Sequence, residues 1–180
     1  GTRDVMLCSS GGKAVRFPED DVRAMGRTAA GVRGIRVPDV EDVISLISPD
    51  ADGLGLTASE NGYGKLTPVD EFPVHGRGGQ GVIALQVTER NGETVAALQV
   101  LPEHELMLIS SNGTLVRTPV ADVSIVGRNT QGVRLIRLDE GDRLTGVERV
   151  ESLSEDLEGA EGAEGAVAPG EESGDPLAAQ

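Results

Sequence analysis

A pattern about fifty residues long recurs three times along this chain, and it constrains the fold more than any other feature. Anchored on the dipeptide Gly-Arg, three ungapped windows align: Gly12 to Val37, Gly62 to Val87 and Gly113 to Leu138. Gly opens each window, and Pro follows at Pro18, Pro68 and Pro119. Then come Gly26-Arg27, Gly76-Arg77 and Gly127-Arg128, followed by Gly31-Val32, Gly81-Val82 and Gly132-Val133. The offsets between windows are 50 and 51 residues. Self-similarity at this period means units stacked or arranged radially, because one such unit cannot bury its own apolar face.

Each unit reads as β structure. Short apolar runs precede the opening Gly: Val5 to Cys8, Leu54 to Ala58, and Leu106 to Ile109. Gly11-Gly12, Asn61-Gly62 and Asn112-Gly113 then predict two-residue hairpin turns with both central residues at positive φ. Return strands follow at Ala14 to Phe17, Leu66-Thr67 and Leu115 to Thr118. Alternating residues predict further strands over Val32 to Val37, Val82 to Val87 and Val133 to Leu138. A last strand closes each unit at Val43 to Ile47, Val95 to Val100 and Leu144 to Val150, with Asn91-Gly92 and Gly141-Asp142 as turns before the last two. Frequent Gly and Pro argue against long helices. The prediction is an all-β chain of three propeller-like blades, about 4–50, 51–101 and 102–150. Three blades are fewer than a closed ring holds, so the chain reads as part of a larger ring.

Charge is sorted along the chain. All 16 Lys and Arg precede residue 151, whereas residues 151–180 hold nine acids and no base. This stretch is Glu, Gly, Ala, Ser and Pro with a Gly-Ala-Glu repeat, and it predicts a disordered acidic tail. With 2 % aromatics, the core must be Val, Ile and Leu. A single Cys excludes a disulfide framework and a Cys-based zinc cluster. No run reaches the roughly 18 apolar residues of a membrane span, and no export segment stands at the start. A reduced, cytoplasmic setting is therefore expected.

The three windows hold 12 of the 16 bases against 6 acids. Equivalent columns in radial units fall at one height, so a basic column becomes a curved basic stripe. Such a stripe suits the phosphates of duplex DNA and gives sequence-independent, salt-dependent affinity. The candidate phosphate contacts are Lys13, Arg16, Arg27, Arg33, Lys65, Arg77, Arg117, Arg128 and Arg134. The scarcity of aromatics argues against a single-strand stacking platform.

Other motifs carry less. Gly76-Arg77-Gly78-Gly79-Gln80-Gly81 spells G-x-G-x-x-G, but a strand rather than a helix is expected after it, which disqualifies it as a dinucleotide loop. His75 and His104 have no Cys nearby, so no metal site is expected. Cys8 reads as core, and Tyr63 as a residue of the second turn. No catalytic set or P-loop stands out.

The runs Asp4-Val5-Met6-Leu7, Gly12-Lys13-Ala14-Val15-Arg16-Phe17, Asn61-Gly62-Tyr63-Gly64-Lys65 and Val87-Thr88-Glu89-Arg90-Asn91-Gly92 resemble the C-terminal domain of bacterial DNA gyrase A. The likeness is closest over Ser124-Ile125-Val126-Gly127-Arg128-Asn129-Thr130-Gln131-Gly132-Val133. The resemblance covers residues 4–150 and implies the last three blades of a six-bladed β-pinwheel, whose hairpins reach into neighbouring blades. It implies a rim that binds and bends duplex DNA to support ATP-dependent negative supercoiling. The implied partners are duplex DNA, the remainder of the gyrase A protein, and the gyrase B protein in an A2B2 heterotetramer. The implied location is cytoplasmic and nucleoid-associated, with no membrane. No cofactor is implied for this chain, because ATP and Mg serve the rest of the holoenzyme. The family's basic box, Q-x-R-G-G-x-G, has only a partial echo in His75 to Gly81, without the leading Gln. Tyr63 does not match the catalytic tyrosine's context, so neither DNA cleavage nor ATP hydrolysis is expected of this chain alone. The related domain of topoisomerase IV and a propeller fragment for protein–protein binding are the alternatives.

Overall fold

The computed structural model describes residues 2–151; but for Glu151, the predicted tail lies outside them. Among the described residues eleven strands form in chain order. They are β1 (Asp4–Ser9), β2 (Lys13–Pro18), β3 (Val43–Ile47), β4 (Leu54–Ser59), β5 (Tyr63–Pro68), β6 (Val82–Ile83), β7 (Thr94–Val100), β8 (Glu105–Ser110), β9 (Leu115–Pro119), β10 (Val133–Arg134) and β11 (Leu144–Val150). They assemble into three antiparallel sheets ordered β3-β1-β2-β6, β10-β5-β4-β7 and β11-β8-β9. The first strand of each unit is central, flanked by its hairpin partner and by the strand that closes the unit. The all-β expectation holds, with single-turn 3-10 helices after each repeated proline, at Glu19–Asp21, Val69–Glu71 and Val120–Asp122. A proline fixes its own φ near −60°, and Pro18, Pro68 and Pro119 all enter these turns with ψ near 140°.

Two of the three sheets draw strands from two units. β6 comes from the second unit and pairs with β2 of the first, Lys13 opposite Ile83. β10 comes from the third unit and pairs with β5 of the second, Arg134 opposite Tyr63. The alternating segments predicted as six-residue strands are therefore short. After two residues, the amides of Ala84 and Leu85 both donate to the Gly12 carbonyl, and those of Leu135 and Ile136 both donate to Gly62. Two successive amides on one acceptor end the ladder alternation and turn the chain beneath the preceding hairpin tip. Val32 to Val37 forms no ladder among the described residues; it is held where Gly78 N–H donates to Gly34 O and Arg36 N–H to Gly79 O.

The hairpin tips also differ from expectation. The register Cys8 opposite Ala14 and Ala58 opposite Gly64 leaves three-residue loops beyond the next pair of residues. The amides of Gly12, Gly62 and Gly113 close them onto Ser9, Ser59 and Ser110. The last residue of each loop is left-handed, with φ of 76°, 79° and 84°. Gly11 does not have positive φ, so a turn followed by one left-handed glycine replaces the two-residue form.

The core lies between units. One cluster joins Leu56, Leu66 and Val100 of the second unit to Leu106, Leu108, Val120 and Val123 of the third. Another joins Met6, Cys8 and Ile47 of the first to Phe72, Ala84 and Ala97 of the second. Backbone bonds cross at the same seams: Thr94 N–H donates to Ser10 O, and Leu144 N–H to Glu60 O. Burial pushes the Cys8 thiol up to about 12, so it stays a protonated core group.

Candidate nucleic-acid interface

The nine candidate cations fall into distinct environments. Lys13 is half-buried, Arg27 and Arg33 are exposed, and none of the three has a side-chain hydrogen bond or ion pair among the described residues. Lys13 borders a hollow of about 310 Å³ with Arg36, Gln80 and Glu41. These cations stand available to an anion.

Arg16 and Arg117 occupy one repeat column and are neutralised inside their own units. Arg16 Nε donates to Asp4 Oδ2 at 2.8 Å, and its NH1 donates to the carbonyls of Val69 and Phe72 in the next unit. Arg117 pairs with Glu105, whose column is that of Asp4. In the second unit the same two columns hold Leu54 and Leu66, so a hydrophobic pair replaces the ion pair. The expectation that Arg16 presents its charge to a phosphate does not hold here, because two carbonyls and a carboxylate use its donors. Arg117 keeps 46 % of its side-chain surface but has a carboxylate partner.

Arg77 and Arg128 share another column and play a repeated inter-unit role. Arg77 donates to Asp21 O at 2.9 Å and to Arg33 O at 3.1 Å. Arg128 donates to Ile83 O at 3.3 Å, and Ile83 occupies the same column as Arg33. The second and third Gly-Arg loops thus both reach back to the carbonyl at this column of the preceding unit. A guanidinium has five donors; Arg77 uses two of them and Arg128 one among the described residues.

Lys65 is the clearest departure. It has 0 % relative exposure, and its ammonium faces Gly127 O (2.7 Å), Arg128 O, Thr130 O (3.3 Å) and Thr130 Oγ1 (3.0 Å). It presents nothing to an external phosphate and leaves the candidate set. Burial, opposed by nearby Glu71 and aided by Arg128, lowers its pKa to about 8.

Arg90 is a functional candidate that the repeat columns do not contain. Its guanidinium carbon lies 4.8 Å from the Tyr63 ring centroid, and that of Arg134 lies 5.4 Å from the same centroid. Arg134 also donates to the Tyr63 hydroxyl at 2.9 Å. Hydrogen bonding from Arg134, then from Arg90, holds the phenol below its ordinary pKa. Tyr63 is therefore a platform that orders two exposed cations. Arg90 lies outside the repeat windows only by a few residues, and its place directly before the Asn91-Gly92 turn is the signal that the sequence offers.

The remaining motifs resolve as packing and turn chemistry. Gly76 to Gly81 leads into β6 and not into a helix. His104 Nδ1 accepts the Leu101 amide at 3.0 Å. Among the described residues no group of His, Cys, Asp and Glu is arranged to hold a metal, and no helix is long and apolar enough to cross a membrane.

Comparison with known proteins places this architecture. The family model described as DNA gyrase C-terminal domain, beta-propeller, matches residues 3–50, 56–101 and 104–151. The DNA gyrase A protein of Salmonella typhimurium is 55 % identical over 150 residues, covering 83 % of this chain and 17 % of that one. Its Pseudomonas aeruginosa counterpart is 52 % identical over 184 residues, covering 100 % of this chain and 20 % of its own length. The chain thus spans about a fifth of the length of the curated relatives it matches. A solved DNA gyrase A C-terminal domain superposes with a TM-score of 0.76 at 28 % identity, covering 82 % of this chain and 50 % of that one. A DNA topoisomerase IV C-terminal domain gives 0.79 at 22 % identity over 89 % of this chain and 52 % of that one, a likeness of fold alone. With its repeats matched one after another and its strands exchanged between them, the chain belongs to the family of DNA gyrase C-terminal domain β-propellers.

Proposed function

We propose that this chain is the part of a bacterial DNA gyrase A protein that holds duplex DNA and bends it along a curved basic surface. The observation that carries the reading is the repeated junction between units. At each one a Gly-Arg loop crosses to the neighbouring sheet, bringing Arg77 beside Arg33, and Arg128 onto the strand that faces Lys13. Cations thereby gather at both junctions, where Arg77 and Arg128 each keep guanidinium donors unused among the described residues. The phosphate contacts in this reading are Lys13, Arg27, Arg33, Arg77, Arg90, Arg128 and Arg134, acting as point charges and forks rather than base readers. Arg117 joins them only by giving up Glu105. Family membership and the DNA gyrase A relatives support the reading.

The chain contributes no catalytic step. DNA cleavage belongs to the remainder of the gyrase A protein, and ATP hydrolysis with its Mg belongs to gyrase B. The assembly is an A2B2 heterotetramer acting on chromosomal DNA in the cytoplasm. Bending the duplex on this module gives strand passage its direction, which is how a part without an active site serves supercoiling.

Duplex affinity measured at two salt concentrations tests the reading. A phosphate binder loses affinity with a log–log slope of about −0.9 per contact. The expected slope corresponds to several contacts, and Arg27→Ala with Arg33→Ala reduces it by about two while weakening unrelated sequences equally. A flat salt response refutes the reading and favours a protein partner.

A further inference from the structure

Some inter-unit contacts repeat at both junctions, such as those of Arg77 and Arg128, but that of Lys65 does not. The column of Lys65 holds Val15 in the first unit and Val116 in the third. Val15 is buried in an apolar cluster with Phe17 and Ile35. Lys65 is equally buried, yet it places an ammonium against three carbonyls and a hydroxyl of the next unit's Gly-Arg loop. A buried ammonium is costly, and its retention calls for a task that a valine cannot perform.

The loop it grips is also held from its other end. Asn91, fully buried, donates from Nδ2 to Gln131 O, and Gln86 N–H donates to Thr130 O. Gly132 lies so close to Gly64 that a Cβ there would meet Gly64 O at 2.6 Å. The sister loop of the second unit, Gly76 to Gly81, runs opposite Val15, where no ammonium is present. It is held by backbone bonds to the first unit, Gly78 N–H to Gly34 O and Arg36 N–H to Gly79 O, and Gly81 approaches Ala14 as closely as Gly132 approaches Gly64. The two loops are thus built to the same plan, and of the two it is the later one that an ammonium grips.

We propose that Lys65 is a positioning residue, its ammonium fixing residues 127–130 of the neighbouring unit in the shape that presents Arg128 to a DNA phosphate. The inference rests on the DNA-binding reading above. Lys65 acts through Arg128 without touching DNA. The carbonyls of Gly127 and Arg128 converge on one donor, which sets the direction in which the Arg128 side chain leaves the backbone. Without that donor these carbonyls turn towards water, and the guanidinium samples many positions before it meets a phosphate.

A double-mutant cycle on the full chain tests this. Lys65→Met keeps the length of the side chain and removes the donor. It is expected to weaken duplex affinity about three- to tenfold and to lower the salt slope by about one, although Lys65 has no exposed surface. Arg128→Ala is expected to lose a similar amount, and the double variant no more than either alone. Lys65→Met combined with Arg33→Ala, at the other junction, is expected to be additive. Full additivity of Lys65→Met with Arg128→Ala overturns the proposal, as does unchanged affinity in a folded Lys65→Met chain. Thr130→Ala, which deletes one acceptor of the ammonium together with the hydroxyl bond to Gly127 O, gives the same comparison should Lys65→Met fail to fold. Hydrogen exchange separates the two levels. If the wild-type chain shows no salt-dependent duplex affinity, the DNA reading fails, and the role assigned to Lys65 fails with it. Faster exchange of the Gln86 amide in Lys65→Met then still identifies Lys65 as the clamp of the loop, and unchanged exchange removes that as well.

Discussion

Lys65 and Arg16 are cations that occupy basic positions in the sequence and act as structural donors in the fold. For Lys65 the sign of the pH effect follows from burial. Its pKa falls to about 8, whereas in an unfolded chain it titrates near the ordinary lysine value of 10.5. Between those values the unfolded chain binds more protons than the native one, so stability rises with pH across that window. The expected gain is roughly 2–3 kcal/mol from this group. Denaturant midpoints at pH 7.5 and 9.5 check it, because Lys65→Met removes the gain. At neutral pH the ammonium remains charged, and its acceptors offset part of the cost of burying it. Arg16 and Arg117 give a second comparison. Arg16 bridges Asp4 to two carbonyls of the next unit, while Arg117 is half-exposed against Glu105. Arg16→Ala is expected to cost about 2 kcal/mol, since it leaves buried acceptors without a donor, and Arg117→Ala below about 1 kcal/mol. Thermal or urea denaturation of the two variants reads the difference.

At the scale of the element, the hairpin tips and exchanged strands show what a sequence can carry. The strand starts at Leu54, Leu115, Val43 and Leu144 were legible, because apolar runs bounded by Gly, Pro and Asn mark them. The three tips were legible as turns but not as three-residue loops. Asn-Gly is compatible with both forms, and the register that decides between them depends on both strands. The exchanged strands were read too long, for a reason no local pattern holds. Their alternation continues past Ile83 and Arg134, but the acceptors that end the ladder, Gly12 O and Gly62 O, lie far away in sequence. The pairing of the Arg16 and Arg117 column was hidden in a similar way, since a window of sequence shows the arginine and not the carboxylate twelve residues earlier. The tip glycines make a prediction of their own. A Cβ at Gly62 would lie 2.7 Å from Ile136 O, while one at Gly113 meets nothing within 4 Å. Gly113→Ala is expected to cost about 1 kcal/mol for its left-handed backbone, and Gly62→Ala clearly more, because the strand that crosses beneath it must shift. Urea denaturation measures both.

For the whole molecule, the decisive quantity is where charge sits and not how much there is. The net charge is −14, and a chain so acidic would be an improbable partner for DNA if its charge were uniform. The repeat sorts bases into windows, and the fold brings those windows to the seams. The last thirty residues add nine acids to this distribution. A chain ending at Val150 is expected to bind duplex DNA more tightly at low salt, with the gap narrowing as salt rises. Equal affinity of the two chains across the titration removes any competing role for the acidic stretch.

The interleaving of strands has a consequence for anyone who would take this chain apart. A first-unit fragment that stops at Ile47 lacks β6, which arrives from residues 82–83, and a two-unit fragment that stops at Val100 lacks β10. Its boundaries therefore run obliquely through the sequence, and blades cannot be swapped as cassettes at the borders of the repeat. A graft that moves one blade must also move the Gly-Val segment of its successor, or the transplanted sheet will carry a raw edge open to association with other copies.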